Sequence, residues 1–193
     1  RGIIGGGELQ WMTAGRGIMH EEMPHPSEEG YQGFQFWLNL KSTQKLIEPK
    51  YRDMKKGEMK SVQKDGVEVR VISGSYEGVL GPIDRSDLGV SMLHFVVEKD
   101  KEVTIKRDIT KQGYIFVFKG NGTLNDEPIH ARTAYTLSDG EHVLKAFVDT
   151  EFIYAEGTPL KEPIAWYGPV VMNTRKEIEE TFNDINNGTF IRN

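Results

Sequence analysis

Most of the chain alternates short runs of apolar and polar residues with turns centred on glycine, a period of two that points to strands rather than helices. Val67-Glu-Val-Arg-Val-Ile72 alternates after the turn signal Asp65-Gly66, and Val103-Thr-Ile-Lys-Arg-Asp-Ile109 alternates again. Tyr114-Ile-Phe-Val-Phe118 is apolar throughout and leads into Lys119-Gly-Asn-Gly122, which predicts a strand buried on both faces and then a hairpin. Ala134–Leu137, Val143–Val148 and Phe152–Ala155 continue the series, separated by Ser138-Asp-Gly140 and Asp149-Thr-Glu151. Short strands at regular spacing predict a sandwich, jelly roll or barrel. The exception is the end of the chain. Asn173-Thr-Arg-Lys-Glu177 has the form of a capping box, Ile178, Phe182 and Ile185 follow at helical spacing, and Asn187-Gly188 supplies a stop, so residues 174–186 are predicted as an amphipathic helix packed on a sheet.

Between Lys41 and Lys64 the apolar period is lost among turn residues and alternating charge, which reads as a linker ahead of a fuller β domain beginning near Ser61. Gly7–Leu40 and Gly113–Ala155 are both rich in strand pattern, in keeping with two related halves, although no sequence repeat is detectable.

Composition narrows the function classes. The chain has 193 residues, no Cys, 24 Lys+Arg against 29 Asp+Glu, and a net charge of −5. Without Cys there is no disulfide scaffold, thiolate metal site, zinc finger or Cys nucleophile. The acidic balance argues against nucleic acid or an anionic membrane as partner. No apolar run approaches the roughly 20 residues of a membrane span, and the start lacks the pattern of a secretion signal, so the expected location is the cytoplasm, or the nucleus in a eukaryote. Residue 1 is Arg, and Arg1-Gly-Ile-Ile-Gly-Gly-Gly7 opens without polar lead-in, which suggests that something lies upstream.

The densest polar constellation is His20-Glu21-Glu22. On a strand, side chains at i and i+2 share a face about 6.5–7 Å apart, so His20 and Glu22 converge while Glu21 points away. On a helix they would diverge by about 200°. An imidazole with a carboxylate suits iron, manganese, zinc, nickel or copper, and the same pair also serves as a hydrogen-bonded surface pair. His25, His94, His130 and His142 form no His-x-His and read as surface or hydrogen-bonded side chains. Arg16 is placed either to meet an anionic ligand or to face solvent or a carboxylate. Gly5-Gly6-Gly7 precedes a strand pattern rather than a helix, so it is no phosphate loop. Asn121-Gly-Thr123 and Asn187-Gly-Thr189 read as turns, and no Ser-His-Asp arrangement appears.

Gly7-Glu-Leu-Gln-Trp-Met-Thr-Ala-Gly-Arg-Gly-Ile-Met-His-Glu-Glu-Met-Pro24 resembles the characteristic segment of the pirin family, within the cupin superfamily. The resemblance continues through Gln35-Phe-Trp-Leu-Asn-Leu40, Glu48-Pro-Lys-Tyr51, Asp65-Gly66 and Val71-Ile-Ser-Gly74 to Glu162-Pro163, Tyr167-Gly-Pro-Val-Val-Met-Asn-Thr174 and the final helix. It implies an all-β bicupin of two β-barrel or jelly-roll domains with a C-terminal helix. Residues 1–45 would be the C-terminal part of the first cupin, 46–64 a linker, and 65–193 the second cupin with its helix. The first cupin of that family holds iron through three His and one Glu, of which His20 and Glu22 match the last two. The others belong to a His-x-His upstream of the matched segment. The second half resembles a cupin that has lost its metal, with Lys106-Arg-Asp-Ile-Thr-Lys-Gln-Gly113 where ligands would stand. The resemblance implies an iron-dependent quercetin 2,3-dioxygenase acting on a flavonol and O2, with His20 and Glu22 on the metal and Glu22 as a base toward the flavonol hydroxyl. The alternatives are a redox-sensitive transcriptional co-regulator that binds protein partners, or an inactive fragment. Open strand edges in an incomplete first barrel would favour homo-oligomers.

Overall fold

The computed structural model describes residues 2–25, 28 and 30–191. It is built from strands with one α-helix at the C-terminal end, the all-β class that the sequence predicts. The strands are β1 (Leu9–Thr13), β2 (Lys50–Met54), β3 (Ser61–Lys64), β4 (Val67–Ser73), β5 (Ser75–Tyr76), β6 (Val79–Leu80), β7 (Ser91–Val97) and β8 (Glu102–Lys106). They continue as β9 (Gln112–Lys119), β10 (Asn121–Leu124), β11 (Glu127–His130), β12 (Thr133–Leu137), β13 (Glu141–Ala146), β14 (Thr150–Gly157), β15 (Ala165–Tyr167) and β16 (Val170–Met172), before helix α1 (Arg175–Asn186). No helix among the described residues is long and apolar enough to cross a membrane.

The chain forms two compact units. One gathers the residues through Leu9 with Met54–Pro159, and the other joins Gln10–Asp53 to the residues from Leu160 onward. The residues after Pro159 thus fall with the N-terminal stretch, whereas the expected division kept 65–193 together.

The first unit contains a six-stranded sheet in the order β12-β9-β14-β7-β4-β3 and a four-stranded sheet in the order β11-β10-β13-β8. Alternation builds the core. In β8, Val103 and Ile105 are buried between exposed Glu102, Thr104 and Lys106, and β13 buries His142, Leu144 and Ala146 between exposed neighbours. Inward residues of both sheets meet in one cluster that includes Val71, Phe95, Val117, Leu144 and Phe152, with the Phe95 and Phe152 rings stacked at 4.6 Å. Each such ring removes a large apolar area from water, which is the main force holding the sheets face to face.

Three expectations are corrected here. The apolar run Tyr114–Phe118 is fully buried only at Ile115 and Val117, because its other face lies on the outside of the six-stranded sheet. After it the chain makes no hairpin: Lys119 ends β9, and Asn121 begins β10 in the other sheet. Gly120 turns that corner with φ +85°, where a Cβ would strike Thr150 and the Asp149 carbonyl. The stretch read as a linker carries β2 and β3, and β3 joins β4 through the two-residue turn Asp65-Gly66, both at positive φ, as a type I′ hairpin demands. As an edge strand, β3 is mostly exposed and needs no apolar period, so the pattern conceals it.

In the second unit, the regular structure among the described residues is the β1-β2 pair, a 3-10 turn at Ser42–Gln44, the β15-β16 pair and α1. Thr174 caps the helix: its Oγ1 accepts from Glu177 N, and the Glu177 side chain reaches back to the Thr174 backbone N–H. Of the predicted stripe, Ile178 is buried and Phe182 meets Tyr167 edge-on at 5.4 Å, whereas Ile185 is exposed and Thr181 is buried instead. The three-residue strands β15 and β16 span about 10 Å, too short to run beneath all of a 12-residue helix. Glu162 joins this unit's segments, accepting from Ser42 N at 2.7 Å and Asn173 Nδ2 at 3.1 Å. Lys45 is buried beside them and donates to Asn39 Oδ1; burial pushes its ammonium below the usual lysine value.

Candidate functional site

The candidate site follows β1. That strand ends at Thr13, and Ala14-Gly-Arg-Gly17 folds into a tight turn closed by Gly17 N to Ala14 O at 2.9 Å and tied down by Arg16 N to Ile47 O at 2.9 Å. Both glycines are required. Gly15 has φ +51° and a Cβ there would enter the Ile47 carbonyl, while Gly17 has φ +119° and faces the Phe190 ring. The turn delivers the chain to Ile18–His25, which is irregular.

The expected strand over His20–Glu22 is therefore absent, because no partner strand among the described residues pairs with it. The two side chains still approach each other, with His20 Nε2 at 3.7 Å from Glu22 Oε1. That separation is an ion-pair distance rather than a hydrogen bond, and with side chains 43% and 58% exposed it contributes at most about 1 kcal/mol. No group of three or more His, Asp or Glu positioned for a metal occurs among the described residues. The donor types suit iron; the donor number does not, since two side chains leave most of an ion's coordination unmet. Glu21 and His25 are exposed and add no third donor.

Arg16, read as meeting a ligand, solvent or a carboxylate, is half-buried with a buried Nε that has no hydrogen-bond partner. An orphaned guanidinium N–H is costly, and an anionic group delivered to it would remove that cost.

The other histidines lie elsewhere. His94, on β7, has Nε2 3.3 Å from Glu151 Oε2. Burial holds its imidazole below the usual value, with Arg70 adding to that effect and Glu151 opposing it. His142 is buried between Asn125 Nδ2 at 3.0 Å and the Ser138 carbonyl at 2.9 Å, which fixes its ring in place. His130 is exposed.

One polar cluster escaped the sequence reading. On β14, Phe152, Tyr154 and Glu156 share the inward face, and Glu156 lies opposite Ser91 of β7. Ser91 Oγ donates to Glu156 Oε1 at 3.0 Å, Lys111 Nζ to the same oxygen at 2.9 Å, and Tyr154 Oη to Glu156 Oε2 at 2.6 Å. Gly113, the residue facing Glu156 on β9, has no side chain to occupy the space that Glu156 and Arg107 fill. The sequence signal was weak: Phe152-Ile-Tyr-Ala155 is apolar throughout, and only the two-residue repeat of a strand puts Glu156 on the face of Phe152 and Tyr154.

Comparison with known proteins gives consistent matches. The family model for the pirin C-terminal cupin domain matches residues 92–191, and that for pirin matches residues 1–38. A pirin-like protein of Arabidopsis thaliana is 35% identical over 97% of this chain and 64% of its own length. Rattus norvegicus pirin is 37% identical over 96% of this chain and 66% of its own. The crystal structure of a quercetin 2,3-dioxygenase from Acinetobacter baumannii superposes with a TM-score of 0.87 at 33% identity, covering 95% of this chain and 67% of that one. The chain therefore spans about two thirds of the length of these relatives.

Proposed function

From a chain that belongs to the pirin family of cupins, we propose a dioxygenase of the quercetin 2,3-dioxygenase type, acting on a flavonol-like molecule and O2 with iron as its cofactor. The observation that carries this reading is the likeness, over 95% of the chain, to the Acinetobacter baumannii quercetin 2,3-dioxygenase. His20 and Glu22 are this chain's contribution to the metal, together with donors that the described residues do not supply. Iron would supply the means of activating O2 and the flavonol.

The roles of the remaining groups follow from their own chemistry. Glu22 is solvent-accessible and can accept the proton of a flavonol hydroxyl at a carboxylate oxygen. Quercetin mixed anaerobically with the protein and iron, then exposed to oxygen, should lose its flavonol absorption band. Loss should slow strongly in Glu22→Gln. A band that decays no faster than in buffer with the same iron would end this reading.

A second reading, a regulatory protein that binds other proteins, is favoured by the exposed aromatic pair Trp37 and Trp166, 58% and 70% exposed with rings 6.2 Å apart. Equal capture of partners in the ferrous and ferric states would remove the redox switch from it.

A further inference from the structure

The first unit holds a second polar site, at the end of its strands where β7 begins and β8 and β14 end. Between the two sheets lies a half-open cavity of about 80 Å³, lined by Tyr76, Ser91, Leu93, Ile105, Tyr154 and Glu156 among others. The surrounding interior is mainly apolar: Phe95, Val117 and Phe152 are completely buried. A carboxylate at the head of such a core is expensive unless it is fully satisfied. Glu156 is satisfied, by Lys111, Ser91 and Tyr154, and its side chain is only 7% exposed.

The way it is satisfied fixes what the cavity offers a ligand. Each hydroxyl carries one hydrogen, and both Ser91 and Tyr154 spend theirs on the two oxygens of one carboxylate. Both hydroxyl oxygens are left to act as acceptors at the cavity they line. Burial and the bond to Glu156 hold the Tyr154 phenol above its ordinary value, so it stays protonated in that role. Charge is already balanced: Lys111 pairs with Glu156, Arg107 with Asp139, and Lys106 with Glu141. A charged ligand would therefore find no counter-ion, whereas a neutral ligand with two hydroxyl donors would find two acceptors beside the apolar walls of Leu93 and Ile105.

We propose that this cavity binds a neutral vicinal diol, whose adjacent hydroxyls donate to Ser91 Oγ and Tyr154 Oη. An aliphatic polyol and a catechol share this chemistry. The space is smaller than the roughly 150 Å³ of an engineered apolar cavity that admits benzene, so a ring would enter by its hydroxylated edge only.

The test is a titration of the whole chain followed by amide chemical shifts of Ser91, Leu93 and Glu156, with glycerol against 1-propanol and catechol against phenol. A saturable shift, tighter for the diol by about three- to tenfold in either pair, is expected from one additional neutral hydrogen bond, and the pair that shows it identifies the source. Ser91→Ala and Tyr154→Phe should each reduce that preference to near unity while leaving the mono-alcohol unchanged; retention of the native amide spectrum reports folding. Equal affinity for diol and mono-alcohol in both pairs, or no saturable shift with any of the four, overturns the proposal, and neither depends on iron or on flavonol turnover.

Discussion

Replacing Gly15 by Ala separates two effects that a glycine at positive φ combines. An L-residue at φ +51° costs about 1 kcal/mol relative to Gly. At Gly15 the new Cβ also lies well inside van der Waals contact with the Ile47 carbonyl, which is backbone and cannot rotate away. The turn must shift, and the bond from Arg16 N to Ile47 O, about 1 kcal/mol net, goes with it. Gly15→Ala should therefore destabilise by about 2–4 kcal/mol. Gly188→Ala is the control in the same unit: its φ is +69°, but nothing lies within 4 Å of a Cβ there, so only the conformational cost of about 1 kcal/mol applies. Urea unfolding monitored by tryptophan fluorescence compares the two through their midpoints. Equal losses in the two variants would refute the claim that the Ile47 contact, rather than φ alone, requires glycine before His20.

Three other perturbations follow from the same geometry. Phe152→Ala removes a ring with no solvent exposure that stacks on Phe95, and should cost about 3–5 kcal/mol in urea unfolding. Thr174→Ala removes the acceptor for Glu177 N and should cost about 1 kcal/mol, with loss of helical circular dichroism at lower denaturant. Burial, chiefly, holds the His94 imidazole below its ordinary value, so the unfolded chain binds its proton first. Stability should be present above about pH 6.5 and fall as pH drops toward the folded value, with Glu68, Glu151 and Arg70 the charged groups around the ring. His94→Gln should flatten that fall in a pH series of melting temperatures, and an unchanged slope would assign the acid loss to other groups.

Strands β4 and β8 were legible because one face of each is packed against the opposite sheet, which imposes a period of two on residues 67–71 and 103–105. Thr174 and Glu177 marked the helix start for an equally local reason, since a cap is satisfied within four residues. Features that depend on distant partners were not legible. Lys119-Gly-Asn-Gly122 reads alike as a hairpin or as a corner between sheets, and only Thr150 and Asp149 packed against Gly120 decide it. β3 carries no apolar face because it is an edge. His20 and Glu22 do approach each other as their spacing suggested, without the strand that was to hold them, since a strand needs a neighbour. Glu156 went unread because it ends an apolar run that shows no alternation, and its partners Lys111 and Ser91 lie 45 and 65 residues away.

The central claim is that His20 and Glu22 grip a metal ion. It is tested most directly by anaerobic ferrous-iron titration of the native protein alongside His20→Ala and Glu22→Ala, with bound iron determined after dialysis. The account predicts that iron held by the protein falls in each variant by more than the roughly 10–100-fold that follows removal of an outer-shell partner. Iron retained equally by all three would contradict it.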